Sequence, residues 1–373
     1  MIVGVVGGGQ LARMMIPAAV NLGIELRVLA EAENSPAALA ATSVGDYRDA
    51  DTVLQFARGV DVLTFDHEHV PQAVLAAVLA AGTPVHPRPD ALLYAQDKIA
   101  MRQRLSELSV SIPEWAAVTS ESELDAFIAA NGGRAVVKTP RGGYDGKGVR
   151  VVGSGREAAD WFADLADGDA LLAEELVDFR RELAQLIARS PSGAIAEWTL
   201  VETEQRDGVC AEVIAPAPGS AGRRAEVAGD IARAIAIGLE VTGVLAVELF
   251  ETTDERLVVN ELAMRPHNSG HWTIDGSTTS QFEQHLRAVL DLPLGATGMT
   301  EPFSVMANVL GGPSTGSLTD RYPIVLSEHP TVKVHNYGKA PRPGRKVGHV
   351  TASGVDLDDV VYEARAAAAC LTD

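Results

Sequence analysis

Lys138-Thr139-Pro140-Arg141-Gly142-Gly143-Tyr144-Asp145-Gly146-Lys147-Gly148-Val149 is a loop with four glycines set between two strand-like runs, Arg134–Lys138 and Val149–Val152. It is not a Walker A loop. That motif needs Gly-Lys followed by Ser or Thr and then a helix, whereas Lys147 is followed by Gly148 and a strand. A glycine hairpin lets backbone N–H groups fold over a triphosphate, and Lys138, at the end of its strand, supplies a fixed positive charge. A plain surface hairpin is the competing reading, but it rarely needs four glycines together with Arg141, Asp145 and Lys147.

Downstream, Val244–Glu251 and Arg256–Ala263 predict an antiparallel hairpin around Thr252-Thr253-Asp254-Glu255. In the simplest register Glu248 lies opposite Val259, and Glu261 falls two residues further along the same face, a diagonal of about 7–8 Å between backbones. Two carboxylates this close repel unless a cation neutralises them, which makes Mg²⁺ bridging to phosphate their natural partner. Two solvated glutamates on an exposed face are the alternative. The hairpin runs into Asn260-Glu261-Leu262-Ala263-Met264-Arg265-Pro266-His267-Asn268-Ser269-Gly270-His271-Trp272-Thr273. A strand that ends in charged, amide and imidazole groups delivers them to a sheet rim, where a metal or an anionic substrate offsets the penalty of burial.

Four further stretches carry weaker signals. Gly7-Gly8-Gly9-Gln10-Leu11-Ala12 follows a strand and opens a helix, which fits the G-x-G-x-x-A dinucleotide fingerprint with Glu31 near the ribose-binding distance. A tight strand-to-helix turn without ligand is the competing reading, and any phosphate can sit on the N–H groups of a glycine-rich helix start. Leu171-Leu172-Ala173-Glu174-Glu175-Leu176-Val177, with Glu182 beyond it, reads on composition as a structural strand and a surface acid. Thr64-Phe65-Asp66-His67-Glu68-His69 ends a strand where open α/β sheets bind ligands, and His67 and His69 read as solvated loop residues. Lys339, Arg342 and Gly344-Arg345-Lys346-Val347-Gly348-His349 form a basic loop that suits either a phosphate or a charged surface turn.

Composition narrows the class. The chain has 373 residues, is 46% hydrophobic and carries a formal charge of −19, which disfavours nonspecific nucleic-acid binding and confines any phosphate site to a local patch. Of 31 basic residues only six are lysines; four of them, Lys138, Lys147, Lys339 and Lys346, fall in the motifs above, and Lys98 opens a helical stretch that leads into the second unit. No apolar run approaches the length of a membrane span, and a strand starting at Ile2 leaves no room for a signal peptide, so the expected location is the cytoplasm. Cys210 and Cys370 lack a CxxC pair or a neighbouring His, so both are expected to be small buried fillers rather than disulfide or zinc residues.

The strands Ile2–Val6, Glu25–Leu29, Val60–Phe65 and Pro84–His86 alternate with helices, a doubly wound α/β pattern. A mixed α+β unit follows, and rising Gly/Pro content from Leu292 leads to a small, mostly β unit closed by a helix over Asp358–Cys370. Lys98, Lys138, the glycine loop, Glu174–Val177, Glu182, Glu248 and Glu261 together resemble the nucleotide site of the ATP-grasp superfamily. Gly8-Gly9-Gln10-Leu11, Arg141–Gly148, Asn260-Glu261-Leu262-Ala263, Arg265, His267–Thr273, Ser280-Gln281-Phe282-Glu283 and Gly344–His349 look like the 5-(carboxyamino)imidazole ribonucleotide synthase family, in the family's order and over nearly the whole chain. The fold class this implies is α/β and α+β. Its parts are an N-terminal Rossmann-like pre-ATP-grasp domain over 1–95, an ATP-grasp domain over 96–295 and a small mostly β C-terminal domain over 296–373.

The resemblance implies ATP- and bicarbonate-dependent carboxylation of aminoimidazole ribonucleotide through carboxyphosphate, by a homodimer that uses Mg²⁺ and neither nucleic acid nor membrane. It implies ATP contacts from Lys98, Lys138, Gly143, Tyr144, Asp145, Gly146, Lys147, Gly148, Val149, Glu174, Glu175, Leu176, Val177, Glu182, Gln205, Asn260 and Glu261, with Glu248 and Glu261 as metal ligands. Substrate would meet Gly9, Gln10, Leu11, Glu68, Tyr144, Asp145, Lys147, Arg265, His267, Asn268, Lys339, Arg345 and Lys346. Asp145 would handle the amine proton, Arg265 would clamp bicarbonate, and Lys138 would complete the catalytic set. Two departures stand out: Ala263 occupies a position where many ATP-grasp enzymes place Asn, and Asp66 stands where the family usually shows Glu, which makes Glu68 the substrate candidate. A formate-dependent glycinamide ribonucleotide transformylase shares the nucleotide site. From other classes, a nicotinamide dehydrogenase would use Gly7, Gly9, Ala12 and Glu31, and a noncatalytic nucleotide-binding regulator would keep the site without turnover.

Overall fold

Four parallel strands open the chain: β1 (Ile2–Val6), β2 (Glu25–Ala30), β3 (Ala41–Val44) and β4 (Val62–Phe65), in the order β3-β2-β1-β4. β1 and β4 are buried along nearly their whole length, as expected of parallel strands covered on both faces. The computed structural model describes residues 1–142 and 147–372. Gly143, Tyr144, Asp145 and Gly146, on which several expectations fall, lie outside the described residues. The strand expected over Pro84–His86 reduces to one bridge between Leu63 and Val85. Pro84 and Pro87 lack the N–H groups that a ladder needs.

A second sheet is antiparallel and small: β5 (Trp115–Val118), β6 (Ala135–Lys138), β7 (Val149–Val152) and β8 (Leu171–Glu175), ordered β5-β8-β6-β7. It has its own core, in which Leu124, Ile128, Val137 and Leu171 meet. In sequence the glycine loop joins β6 to β7 of this separately packed sheet.

The third sheet contains β9 (Phe179–Arg189), β10 (Ile195–Glu197), β11 (Val201–Arg206), β12 (Val209–Ala215), β13 (Gly243–Thr252), β14 (Leu257–Ala263), β15 (Phe303–Leu310), β16 (Lys333–Asn336) and β17 (Lys346–Gly354). Its path is β14-β13-β9-β11-β12-β15-β17-β16, antiparallel throughout, with β10 on the side of β9. β12 pairs with β15, so the sheet runs through the boundary expected at 295/296 and the C-terminal strands extend it.

The hairpin of β13 and β14 departs from its expected register. Leu249, not Glu248, faces Val259, while Val247 faces Leu262. Two residues of β14, Asn260 and Glu261, are thereby left opposite the single Glu248. This is a bulge, a feature that re-aims side chains next to sites.

One apolar cluster joins the first sheet to the third: Phe65, Leu92 and Leu105 belong to the same core as Leu183, Leu249 and Val259. The two larger units are thus packed together, and the small sheet with its own core faces the cleft they leave. Among the described residues no helix is long and apolar enough to cross a membrane.

Candidate active site

A cleft of about 1480 Å³ opens where the C-terminal ends of β1 and β4, the β13–β14 hairpin, the small sheet and the 339–346 loop converge. Every described residue expected to bind nucleotide, metal or substrate lines it except Gly148. Gly148 sits just outside, with φ +71° and its carbonyl accepting from Thr139 N at 3.0 Å. The positive φ at this position favours glycine.

Lys138 ends β6 almost fully buried, its Nζ 2.8 Å from Glu174 Oε2, 3.3 Å from Asn260 Oδ1 and 3.9 Å from Glu261 Oε1. Glu174 also pairs with Arg102, which donates onward to the carbonyls of Val259 at 3.2 Å and Asn260 at 2.6 Å. Burial pushes the Glu174 carboxyl up, but Arg102 and Lys138 outweigh it and hold the group below its ordinary value. Glu174 therefore does more than contribute backbone, as its reading on composition suggested: its side chain holds Lys138 and locks β8 to β14. Arg102 was missed by the sequence reading. Its signal was position, since it lies one turn beyond Lys98 on the same helical face.

Lys98 opens the helix Lys98–Glu107, capped by Asp97, whose Oδ1 accepts from Ile99 N and Ala100 N. The same helix start tethers the glycine loop. Lys98 N donates to Pro140 O at 2.9 Å, Lys98 Nζ to Gly142 O at 3.1 Å, and Arg141 Nε to Asp97 Oδ2 at 2.9 Å.

Glu248 and Glu261 both line the cleft, and the bulge sets Asn260 and Glu261 opposite Glu248 along the hairpin. Burial raises Glu248, yet the His267 hydrogen bond, with Nε2 at 3.1 Å, and then the charges of His267, Lys346 and Arg265 hold it below its ordinary value. Glu182, on the neighbouring strand β9, has no such relief: burial and then the Glu248 charge push it up to about 7. The carboxylates of Glu248 and Glu261 supply the hard oxygen donors that a divalent cation such as Mg²⁺ takes.

The far wall overturns the dinucleotide reading. Asp66 Oδ2 accepts from Gly9 N at 2.8 Å and Oδ1 from Ala12 N at 2.7 Å, so a protein carboxylate already sits at the helix start where a pyrophosphate would dock. A Cβ on Gly9 would lie 2.0 Å from Asp66 Oδ2, which explains the glycine. Burial pushes Asp66 up to about 6 against those two donors and the charges of Arg265 and Lys339. Gln10 nevertheless reaches the cleft, where its Oε1 accepts from Lys339 Nζ. Arg265 is engaged by Glu68 Oε2 at 2.8 Å and by Pro266 O at 3.1 Å, so Glu68 orients the guanidinium as well as lining the cleft. His67, expected in solvent, is mostly buried and stacks on His69 with ring centroids 5.3 Å apart.

Asn268 is buried, with the Cys210 thiol as the neighbour of its amide. Between β7 and β14 the lining turns apolar, with Val149, Val151, Leu176, Phe179 and Leu262, a slot suited to a flat aromatic base beside the backbone of Glu175–Val177.

Three family models match the chain: a ribonucleotide synthetase preATP-grasp domain over residues 1–96, an ATP-grasp domain over 103–282, and a phosphoribosylaminoimidazole carboxylase C-terminal domain over 304–363. Among curated relatives, the N5-carboxyaminoimidazole ribonucleotide synthase of Mycobacterium tuberculosis is 52% identical over 98% of this chain and 87% of its own. That of Corynebacterium ammoniagenes is 48% identical over 98% of this chain and 91% of its own. Among solved structures, the enzyme from Thermus thermophilus superposes with a TM-score of 0.88 at 35% identity, covering 100% of this chain and 98% of that one. The Aspergillus clavatus enzyme in complex with ADP and 5-aminoimidazole ribonucleotide gives 0.89 at 30% identity, covering 99% and 98%. The matched models tile the three units that build the cleft, and the chain belongs to the N5-carboxyaminoimidazole ribonucleotide synthase family of ATP-grasp ligases.

Proposed function

We propose a division of labour in the cleft for the family's reaction. The chain is an ATP-dependent ligase that carboxylates 5-aminoimidazole ribonucleotide to N5-carboxyaminoimidazole ribonucleotide in purine biosynthesis. The adenine enters the slot of Val149, Val151, Leu176 and Phe179, with the ribose toward Glu182, Gln205 and the triphosphate toward Lys98, Lys138 and the glycine loop. Lys138 meets charge that develops on the transferred phosphoryl group, and Glu174 keeps it aimed. Glu248 and Glu261 would hold Mg²⁺, which supplies charge neutralisation on the phosphate oxygens when bound.

Arg265, oriented by Glu68, presents its planar fork to bicarbonate, which attacks the γ-phosphorus to give carboxyphosphate and ADP. His267 and Asn268 face the ribonucleotide, whose phosphate is met by Lys339, Arg345 and Lys346 across from Gln10. Asp145, outside the described residues, takes the proton lost by the amine as it captures the carboxyl. The glycine loop, on its separately packed sheet, shields carboxyphosphate from water. Resemblance to the family supports the remaining readings, a homodimer in the cytoplasm; sedimentation and fractionation test them.

The observation that carries this reading is the buried Lys138 held between Glu174, Asn260 and Glu261 at the floor of a cleft that also receives the basic 339–346 loop. The test is ADP release with 5-aminoimidazole ribonucleotide, with and without bicarbonate, for the native chain and Lys138→Ala. Release that is independent of bicarbonate refutes it, as does formate-dependent release with glycinamide ribonucleotide.

A further inference from the structure

Outside the cleft, the structure brings Cys370 beside the adjacent pair Glu328 and His329, the histidine lying 41 positions before it. Glu328 and His329 close the helix Tyr322–Glu328, and Cys370 ends the helix Leu357–Cys370. Their ligand atoms, Glu328 Oε, His329 Nε2 and Cys370 Sγ, all lie within 4.8 Å of one another. Cys370, expected to be a buried filler without a histidine near it, is half-buried against both.

We propose that Glu328, His329 and Cys370 bind one thiophilic divalent cation of the zinc class, at a site separate from the catalytic cleft. Cys370 Sγ is 3.8 Å from His329 Nε2 and 3.8 Å from Glu328 Oε2. A four-coordinate zinc with bonds of about 2.3 Å to sulfur and about 2.0–2.1 Å to nitrogen and oxygen separates sulfur from those ligands by roughly 3.6 Å. The sulfur therefore stands within a few tenths of an ångström of where the ion needs it.

Orientation supports the same reading. His329 is buried, and its Nδ1 lies 2.8 Å from Glu363 Oε2. The carboxylate makes Nδ1 the protonated nitrogen and turns the lone pair of Nε2 toward Cys370 and Glu328. A carboxylate behind the histidine is the usual support of a metal-binding imidazole. Glu363 and Cys370 are seven residues apart and so share one helical face. A thiolate and a carboxylate balance the two charges of the cation, with neutral His329 as third ligand and one position left for water. Binding of the cation as a thiolate complex releases the Cys370 proton to solvent. Bound metal would clamp the helix Tyr322–Glu328 to the last helix and stiffen the C-terminal unit.

The experiment uses the full chain, reduced and stripped with chelator, titrated with Co²⁺ alone. One Co²⁺ per chain should bind with a thiolate-to-cobalt band in the near ultraviolet and the intense visible bands of a four-coordinate ion, and Zn²⁺ should displace it. Cobalt held by the cleft carboxylates gives no thiolate band. Cys370→Ser should abolish the band and Cys210→Ser should keep it. Glu363→Gln should weaken binding about 10–100-fold. Zn²⁺ should also protect Cys370 of the native chain from iodoacetamide, read by peptide mass, a measurement that needs no variant. A native chain without the band, a band that survives Cys370→Ser, or alkylation of Cys370 unchanged by Zn²⁺ overturns the proposal.

Discussion

Replacing Glu174 by Gln removes one negative charge from between two buried cations. Glu174 is 3% exposed, Lys138 7% and Arg102 0%, so solvent cannot take over the neutralisation. Breaking a buried ion pair by deleting one partner costs about 3–5 kcal/mol, because the other charge is left uncompensated. Lys138 has fallback contacts at Asn260 and Glu261, which places the expected loss near the lower end, about 3 kcal/mol. For a chain of 373 residues that is a drop of about 4 °C in the unfolding midpoint.

The assay is thermal unfolding of the ligand-free chain by circular dichroism, with Glu107→Gln as the control. Glu107 pairs with Arg104 at the surface, and its loss should leave the midpoint unmoved within error. The pH dependence adds a sign. Because Glu174 is held below its ordinary 4.5, its contribution is full above that value and disappears as pH falls through the lowered one. The native chain should therefore keep its advantage over the variant at neutral pH and lose it only in acid. A Glu174→Gln midpoint no lower than that of Glu107→Gln would refute the buried triad.

Three other outcomes follow from the same geometry. Lys138→Ala should lower kcat on the order of 10²–10³-fold while the chain stays folded, the loss typical of one preorganised charge at a developing anion, as steady-state ADP release would show; a wild-type kcat would contradict it. Glu182 is raised from 4.5 to about 7, so the folded chain binds the extra proton and loses stability as pH rises between those values; Glu182→Gln should remove that slope, and equal pH profiles of the unfolding midpoint would count against the assignment. Asp66→Ala leaves Gly9 N–H and Ala12 N–H without their acceptor and should cost about 2 kcal/mol or more in denaturant unfolding, while Gly9→Ala should be equally damaging because its new Cβ meets the Asp66 carboxylate.

Much of the site was legible because its chemistry is local in the chain. The glycine loop, the Glu261–Asn268 run and the 344–349 loop each place unusual residue types beside a strand end, and all reach the same cleft. The missing parts are long-range. Arg102 meets Glu174 across 72 residues and Asp66 caps Gly9 across 57, and neither pairing leaves a periodic trace. The bulge at Glu248 shifted the hairpin by one residue, a displacement that alternation alone does not encode. Likewise the pairing of β12 with β15, which merges the C-terminal strands into the large sheet, depends on chain return and not on either strand's own composition. His329 and Cys370 sit 41 positions apart, so proximity to a histidine was invisible from the cysteine's neighbours.

The central claim is that the γ-phosphoryl group of ATP passes to bicarbonate in this cleft before the amine is carboxylated. Single-turnover reaction with ¹⁸O-labelled bicarbonate and 5-aminoimidazole ribonucleotide tests it most directly, by mass analysis of the phosphate released. One labelled oxygen carried from bicarbonate into inorganic phosphate is the predicted result. Unlabelled phosphate, formed alongside carboxylated product, would contradict it.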